Sequence, residues 1–111
     1  MLKKLPDRIA LRASLGEILE KRRTNRCCQT EELADDVLAT LLWACAGITT
    51  EDGKRTAPSA RDLRAVDAYV LKADGVWRYL AKEQALEKIS ERDVRVESTT
   101  HQPQWVGSAP V

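Results

Sequence analysis

Hydrophobic positions along the chain fall into three patterns. Leu33, Val37, Leu38, Leu41, Leu42 and Cys45 recur at intervals of four, one, three, one and three residues. That is the wide apolar stripe of a buried helix. Thr30 is placed to cap it, Glu31 and Glu32 suit the positive end of its dipole, and Gly47 suits its end. Trp43 lies off the stripe and is expected against a loop or a partner chain. A shorter helix is predicted after Ser14, which with Glu17 forms a capping box. Leu15, Ile18 and Leu19 share one face of it, and Lys21, Arg22 and Arg23 close it where cations favour the dipole.

Further on, the period changes from helical to two. Val66, Ala68 and Val70 alternate with Asp67, Tyr69 and Leu71, and Ala73-Asp74-Gly75 is a turn signal. Antiparallel strands are predicted near 65–71 and 76–80, the second helped by Trp77 and Tyr79. Residues 81–90 read equally as a helix anchored by Leu86 and Ile89, or as a turn and a short strand at 85–89. Ser90 with Asp93 resembles another helix start, and Gln102 to Gly107 a short helix. Residues 1–12 read as an extended arm, since Pro6 prevents a regular helix. Residues 49–64 form a long connection of the kind that is usually functional or disordered.

Composition narrows the class. The 111 residues suit one domain, 43% are hydrophobic, and Phe is absent, so the core must be aliphatic. Eighteen basic residues oppose seventeen acidic ones. That balance argues against a general nucleic-acid coat or a polybasic membrane anchor. No stretch approaches the ~18–20 apolar residues needed to span a bilayer. Cys27, Cys28 and Cys45 have no zinc-site or disulfide-framework spacing. Reduced thiols in the cytoplasm are the expectation.

Two segments carry candidate chemistry. Lys21-Arg22-Arg23-Thr24-Asn25-Arg26 concentrates guanidinium forks around a hydroxyl, which is what a phosphate needs. An extended backbone would put Arg22, Thr24 and Arg26 on one side. The same cluster also reads as a solvated helix terminus. The loop Gly53-Lys54-Arg55-Thr56-Ala57-Pro58-Ser59-Ala60-Arg61-Asp62 has small residues that let backbone approach a flat ligand, and it reads equally as a surface loop. His101 is the only histidine and has no second one with which to share a metal. No phosphate-binding glycine motif, nucleophile elbow or acid–base set is present. An enzyme built on this chain would rely on a cofactor for its chemistry.

Taken in order, Leu19 to Arg26, Leu41-Leu42-Trp43-Ala44-Cys45-Ala46-Gly47-Ile48, Gly53 to Ala60 and Asp74-Gly75-Val76-Trp77-Arg78-Tyr79 resemble the FMN-dependent nitroreductase family. The likeness is greatest to its thiazoline-oxidase-like and NAD(P)H-dehydrogenase branch, and covers roughly residues 12–111. The resemblance implies an α+β fold, with helices packed on a mostly antiparallel sheet, in an intertwined homodimer with FMN at the interface. It implies that Arg22, Arg23, Thr24 and Arg26 hold the FMN phosphate, with Thr24 in place of the usual Ser. It places Pro58, Ser59 and Ala60 beside the flavin ring. Where the family often has Asn and then Gln, this chain has Asp62 and Arg64. An Asp cannot donate an amide hydrogen bond and adds negative charge beside an electron-accepting ring.

The reaction so implied is ping-pong. NADH or NADPH reduces FMN, and reduced FMN passes electrons to a nitro, quinone or related small-molecule acceptor. Family members are near twice this length, so the chain reads as an N-terminal half that ends as a central strand begins at Ala109-Pro110-Val111. A homodimer or a complementary C-terminal half is the expected partner, with no nucleic acid and no membrane. The alternative is a non-catalytic remnant or interaction module of the same ancestry that no longer binds flavin.

Overall fold

The computed structural model describes residues 1–111 as helices set against one antiparallel sheet. Strand β1 is Leu2–Lys4, helix α1 is Leu15–Lys21 and helix α2 is Asp35–Ala46. Strands β2 (Tyr69–Lys72), β3 (Gly75–Leu80) and β4 (Ala85–Ser90) follow. The sheet order is β1-β4-β3-β2 and every pairing is antiparallel. Single 3₁₀ turns occur at Ala60–Asp62, Glu97–Thr99 and Gln104–Ser108.

The hairpin forms because two residues, Ala73 and Asp74, join β2 to β3, with Tyr69 opposite Arg78 and Val70 opposite Trp77. Gly75 is required at its start. Its φ is +135°, and a Cβ there would lie 2.1 Å from the Ser90 carbonyl oxygen. Asp74 fixes the turn by accepting a hydrogen bond from the Trp77 indole at 3.1 Å. The strand reading of 85–89 is the one adopted, over Ala85–Ser90. Leu86 then enters the core at 1% exposure. A helix would have given up the ladder that β4 shares with both β3 and β1.

Trp77 and Tyr79 on β3, Val70 on β2 and Leu86 on β4 line the covered face of the sheet, so the core is part aromatic and not the aliphatic one expected from the absence of Phe. Leu38, Ala39 and Leu42 of α2 close over them, joined by Leu5. Only part of the predicted stripe is covered: Leu41 is 48% exposed and Cys45 is exposed. Those two residues instead line an open apolar groove of about 380 Å³ with Leu71, Val106 and Val111.

Several sequence expectations are corrected. Helix α2 begins at Asp35, five residues after Thr30, and Ala34 is its N-cap without a side-chain bond. Asp35 and Asp36 supply the anions of its first turn in place of Glu31 and Glu32. Asp35 is also held by Lys3 of β1 at 2.8 Å, so a tertiary ion pair ties the helix start to the sheet. Gly47 does end α2, but with φ −68°. A Cβ there would lie 2.3 Å from the Trp43 ring, so close approach rather than a left-handed cap calls for glycine. The first hairpin strand starts at Tyr69, and Val66 stays 79% exposed. No helix follows Ser90: its hydroxyl accepts from the Arg92 amide and Asp93 accepts from the Arg95 amide, which makes turns.

The amino-terminal residues are pinned rather than free. Leu2–Lys4 pair with β4, and the Ile9 amide donates to the Thr40 hydroxyl at 2.8 Å. Arg8 stacks 3.7 Å from the centre of the Trp43 ring, which supplies the loop partner expected for that tryptophan. Helix α1 keeps its predicted capping box but buries nothing: Leu15, Ile18 and Leu19 are 71%, 50% and 62% exposed.

Candidate functional site

The most extensively hydrogen-bonded candidate chemistry lies in the loop between α2 and β2. Thr49 donates its amide to the Lys54 carbonyl at 2.8 Å, and Ile48 bridges Arg55, closing a turn at Asp52-Gly53. Beyond it, Arg61, Asp62 and Arg64 have φ of 53°, 56° and 50°. Left-handed backbone costs an ordinary residue roughly 1–2 kcal/mol. Three such residues within four positions need strong outside restraint, and strain of this kind gathers at functional sites.

Arg64 provides that restraint. Its Nε and one terminal nitrogen donate to the two carboxylate oxygens of Asp62, both at 2.8 Å. Its other terminal nitrogen donates to the Asp52 carbonyl at 2.9 Å. Its amide donates to Ser59 Oγ at 2.7 Å. One residue therefore ties together the turn, the strained corner and the Ser59 hydroxyl. The Arg64 fork holds the Asp62 carboxyl below its ordinary range, and Asp62 in turn raises the guanidinium. The charge expected of Asp62 beside a ligand is thus locally neutralised by the residue two positions on.

Pro58, Ser59, Asp62 and Arg64 line one concavity of about 360 Å³ with Lys54, Arg55 and Ala57. Ala60 opens the adjoining 3₁₀ turn. The residues expected beside a flavin ring are therefore gathered on one short loop.

The arginine-rich segment is elsewhere. Arg22 is the C-cap of α1 and Arg23 donates to the Glu20 and Arg22 carbonyls, both at 2.7 Å. Thr24 and Arg26 follow in an exposed stretch without regular structure, where Asn25 accepts from the Cys27 amide. Neither Arg22 nor Arg26 has a carboxylate partner. Arg22 borders a different surface concavity, with Arg12, Glu17 and Lys21. No hydrogen bond or common cavity joins this segment to the Pro58–Asp62 loop within one chain.

Sequence reasoning undervalued Arg55 and Arg64. Arg64 entered only as a missing glutamine. The signal was present: opposite charges at 62 and 64, two apart in a loop, are within reach of a side-chain clamp. Cys27, Cys28 and Cys45 are free and exposed, and His101 is exposed. No helix is long and apolar enough to cross a membrane.

Comparison with known proteins follows the same lines. Residues 19–111 match the profile described as the nitroreductase family. No curated protein matches. Among solved structures, a protein of Ralstonia eutropha JMP134, provisionally described as a nitroreductase, superposes with a TM-score of 0.86 at 32% identity. The match takes in 98% of this chain and 52% of that one, so the chain spans about half the length of its structural relative.

Proposed function

This chain belongs to the nitroreductase family, and from that premise we propose that it supplies one half of an FMN site in an oxidoreductase. The observation that carries the reading is the loop just described. A nitroreductase-like Ala-Pro-Ser-Ala run sits in a concavity whose backbone is strained and clamped by the chain's own bonds. Preorganisation of that kind favours binding by removing part of the ordering cost.

Pro58, Ser59 and Ala60 would lie against the flavin ring. Ser59 Oγ already accepts from the Arg64 amide, so its own proton is free to donate to a ring heteroatom. Arg22, Thr24 and Arg26 would hold the phosphate of an FMN, with Arg23 buttressing them through the end of α1. Arg22 and Arg26 lack acidic partners, which suits an anion. When bound, FMN would accept hydride from NADH or NADPH and return electrons to a nitro, quinone or related acceptor. The chain's own task is to orient the ring and balance charge around it.

The phosphate segment and the ring loop share no cavity in one chain, which favours a site completed by a second chain. Two surfaces suit such a partner. One is the exposed Leu15, Ile18 and Leu19 face of α1; the other is the free edge of β2 with its apolar groove. A second copy, or a polypeptide corresponding to the other half of the longer relative, would cover them. A remnant that has lost flavin would have little reason to keep a strained, clamped loop.

The test is direct. Purified protein is titrated with FMN, with flavin fluorescence and intact mass read together, and sedimentation run in parallel. Saturable quenching at one FMN per chain, with association, is the expected result. No binding at any protein concentration, either alone or mixed with a polypeptide corresponding to the other half of the longer relative, would overturn the proposal.

A further inference from the structure

Cys27 and Cys28 are neighbours in sequence, and both are free and exposed. They lie between α1 and α2, in a stretch where residues 23–33 make no backbone-to-backbone hydrogen bond. The Cys27 amide donates to the Asn25 side-chain oxygen at 2.9 Å, which shapes a local turn without engaging either thiol. No group of three or more His, Cys, Asp and Glu side chains is gathered closely enough to hold a metal ion. The pair therefore lacks the further ligands of a zinc site. Adjacent cysteines have a chemistry of their own. Their Cα atoms stand about 3.8 Å apart across a trans peptide, short of the roughly 4.4–6.8 Å that a disulfide ordinarily spans. A bond between them is strained and easily reduced, which suits a reversible bond rather than a structural one. The bending needed to close it breaks no main-chain hydrogen bond here. Cys45, by contrast, is held in helix α2 and has no neighbouring thiol in sequence.

We infer that Cys27 and Cys28 form a thiol–disulfide exchange site for low-molecular-weight disulfides of the glutathione class. One cysteine, as thiolate, attacks a sulfur of the small disulfide, forms a mixed disulfide and releases one small thiolate. The neighbouring thiolate then attacks the protein sulfur of that mixed disulfide. This closes the Cys27–Cys28 bond and releases the second small thiolate. The protein dithiol gives up two electrons and two protons, and the small disulfide takes both and leaves as two thiols. The second step is intramolecular between adjacent residues, so it outruns capture of the second cysteine by another small disulfide. The bond forms directly after Arg26, and closing it bends the chain there. Under the flavin reading, on which this one consequence rests, oxidation loosens the phosphate segment.

The probe is glutathione disulfide, added to the reduced full chain carrying Cys45→Ser. Remaining thiols are alkylated, and intact mass is read over a range of protein concentrations. The expected product carries neither an alkyl group nor glutathione and is lighter by the two thiol hydrogens, at every concentration. Dithiothreitol should return both thiols. Cys28→Ser in the same background should stop at a stable mixed disulfide on Cys27, and Cys27→Ser at one on Cys28. FMN titration of the oxidised and reduced forms is the second arm. The oxidised form should bind roughly tenfold more weakly, the loss of one charge-assisted phosphate bond.

Glutathione persisting on Cys27 or Cys28 when both are present would overturn the inference. So would disulfide-linked dimers in place of the internal bond. A pair that stays reduced at disulfide concentrations that fully modify the Cys28→Ser chain would overturn it as well. Equal FMN affinity of the two forms would overturn the coupling to the phosphate segment. FMN binding by neither form counts against the flavin site alone, because the exchange chemistry is read from mass without flavin.

Discussion

Leu86→Ala is expected to remove about 3 kcal/mol of folding stability. Leu86 is 1% exposed, the largest side chain so fully enclosed, and it sits on β4 among Val70, Trp77, Tyr79 and Leu42. The change deletes three carbon atoms, worth about 2.4 kcal/mol at ~0.8 kcal/mol per buried methylene. A cavity between a sheet and a helix collapses only partly, which brings the total into the roughly 2–5 kcal/mol range of such changes. Leu19→Ala provides the control. Leu19 is 62% exposed on α1, and alanine is the better helix former, so its cost should stay under about 0.5 kcal/mol. Urea unfolding followed by tryptophan fluorescence suits the measurement, because Trp77 is 2% exposed and reports the core directly. With a slope of about 1–3 kcal/mol per molar, the Leu86→Ala midpoint should fall by roughly 1–3 M. Repeating both variants across protein concentration separates folding from association. If a second chain covers α1, Leu19→Ala costs more as concentration rises, while the Leu86→Ala penalty does not. A Leu86→Ala cost below about 1 kcal/mol at unchanged slope would refute the proposed core. Equal cost for the two variants at every concentration would show that α1 packs within its own chain.

Three further outcomes follow from the geometry. Asp93 is held by Arg95 through bonds of 2.7 and 2.9 Å, which lowers its pKa to about 2. A lowered folded pKa adds stability above the unfolded value near 3.8 and loses it as pH falls toward 2; a carboxyl chemical-shift titration should therefore show a midpoint near 2, moving up toward 3.8 in Arg95→Gln. Replacing Arg22 or Arg26 by alanine should weaken FMN binding roughly tenfold or more each, by loss of a charge-assisted phosphate bond, without changing the unfolding midpoint; fluorescence titration beside urea melts checks both. The three free, exposed cysteines should all react with Ellman's reagent in native buffer, and a burst of fewer than three thiols per chain would mean that a partner or a disulfide covers one.

The pieces of the fold that could be read beforehand are those fixed by local chemistry. The Ser14–Glu17 capping box places α1 because both bonds form within four residues. The Ala73-Asp74-Gly75 signal places the hairpin for the same reason. What escaped depended on distant partners. The start of α2 lies at Asp35, tied to Lys3 thirty-two residues away, and not at the plausible cap at Thr30. Whether 85–90 is helix or strand was undecidable locally, since only pairing with β3 and β1 distinguishes them. The wide stripe on α2 was visible, but not that its Leu41 and Cys45 edge faces an open groove. At the candidate site the loop residues were found by resemblance to a family. Their preparation was not: left-handed backbone at Arg61 and Arg64 has no signature in residue type, and Asp62, which tolerates that region, marks it only weakly.

The Asp62–Arg64 pair changes how the departure from the family pattern should be understood. Read one residue at a time, an aspartate beside a flavin opposes its reduction, and an arginine in place of a glutamine is an unrelated loss. Read together they are one device. The carboxylate that would repel electrons is matched on both oxygens by the fork that follows it. The same guanidinium also donates to the Asp52 carbonyl and the Arg64 backbone amide to Ser59, so neutralisation and loop shape come from one residue. The two substitutions are therefore coupled. Asp62→Asn alone frees the Arg64 charge, and Arg64→Gln alone exposes the Asp62 charge, whereas the double change restores the family pattern and removes both. Under the proposed flavin site, the single changes are expected to shift a bound flavin's potential in opposite directions and the pair to return it most of the way.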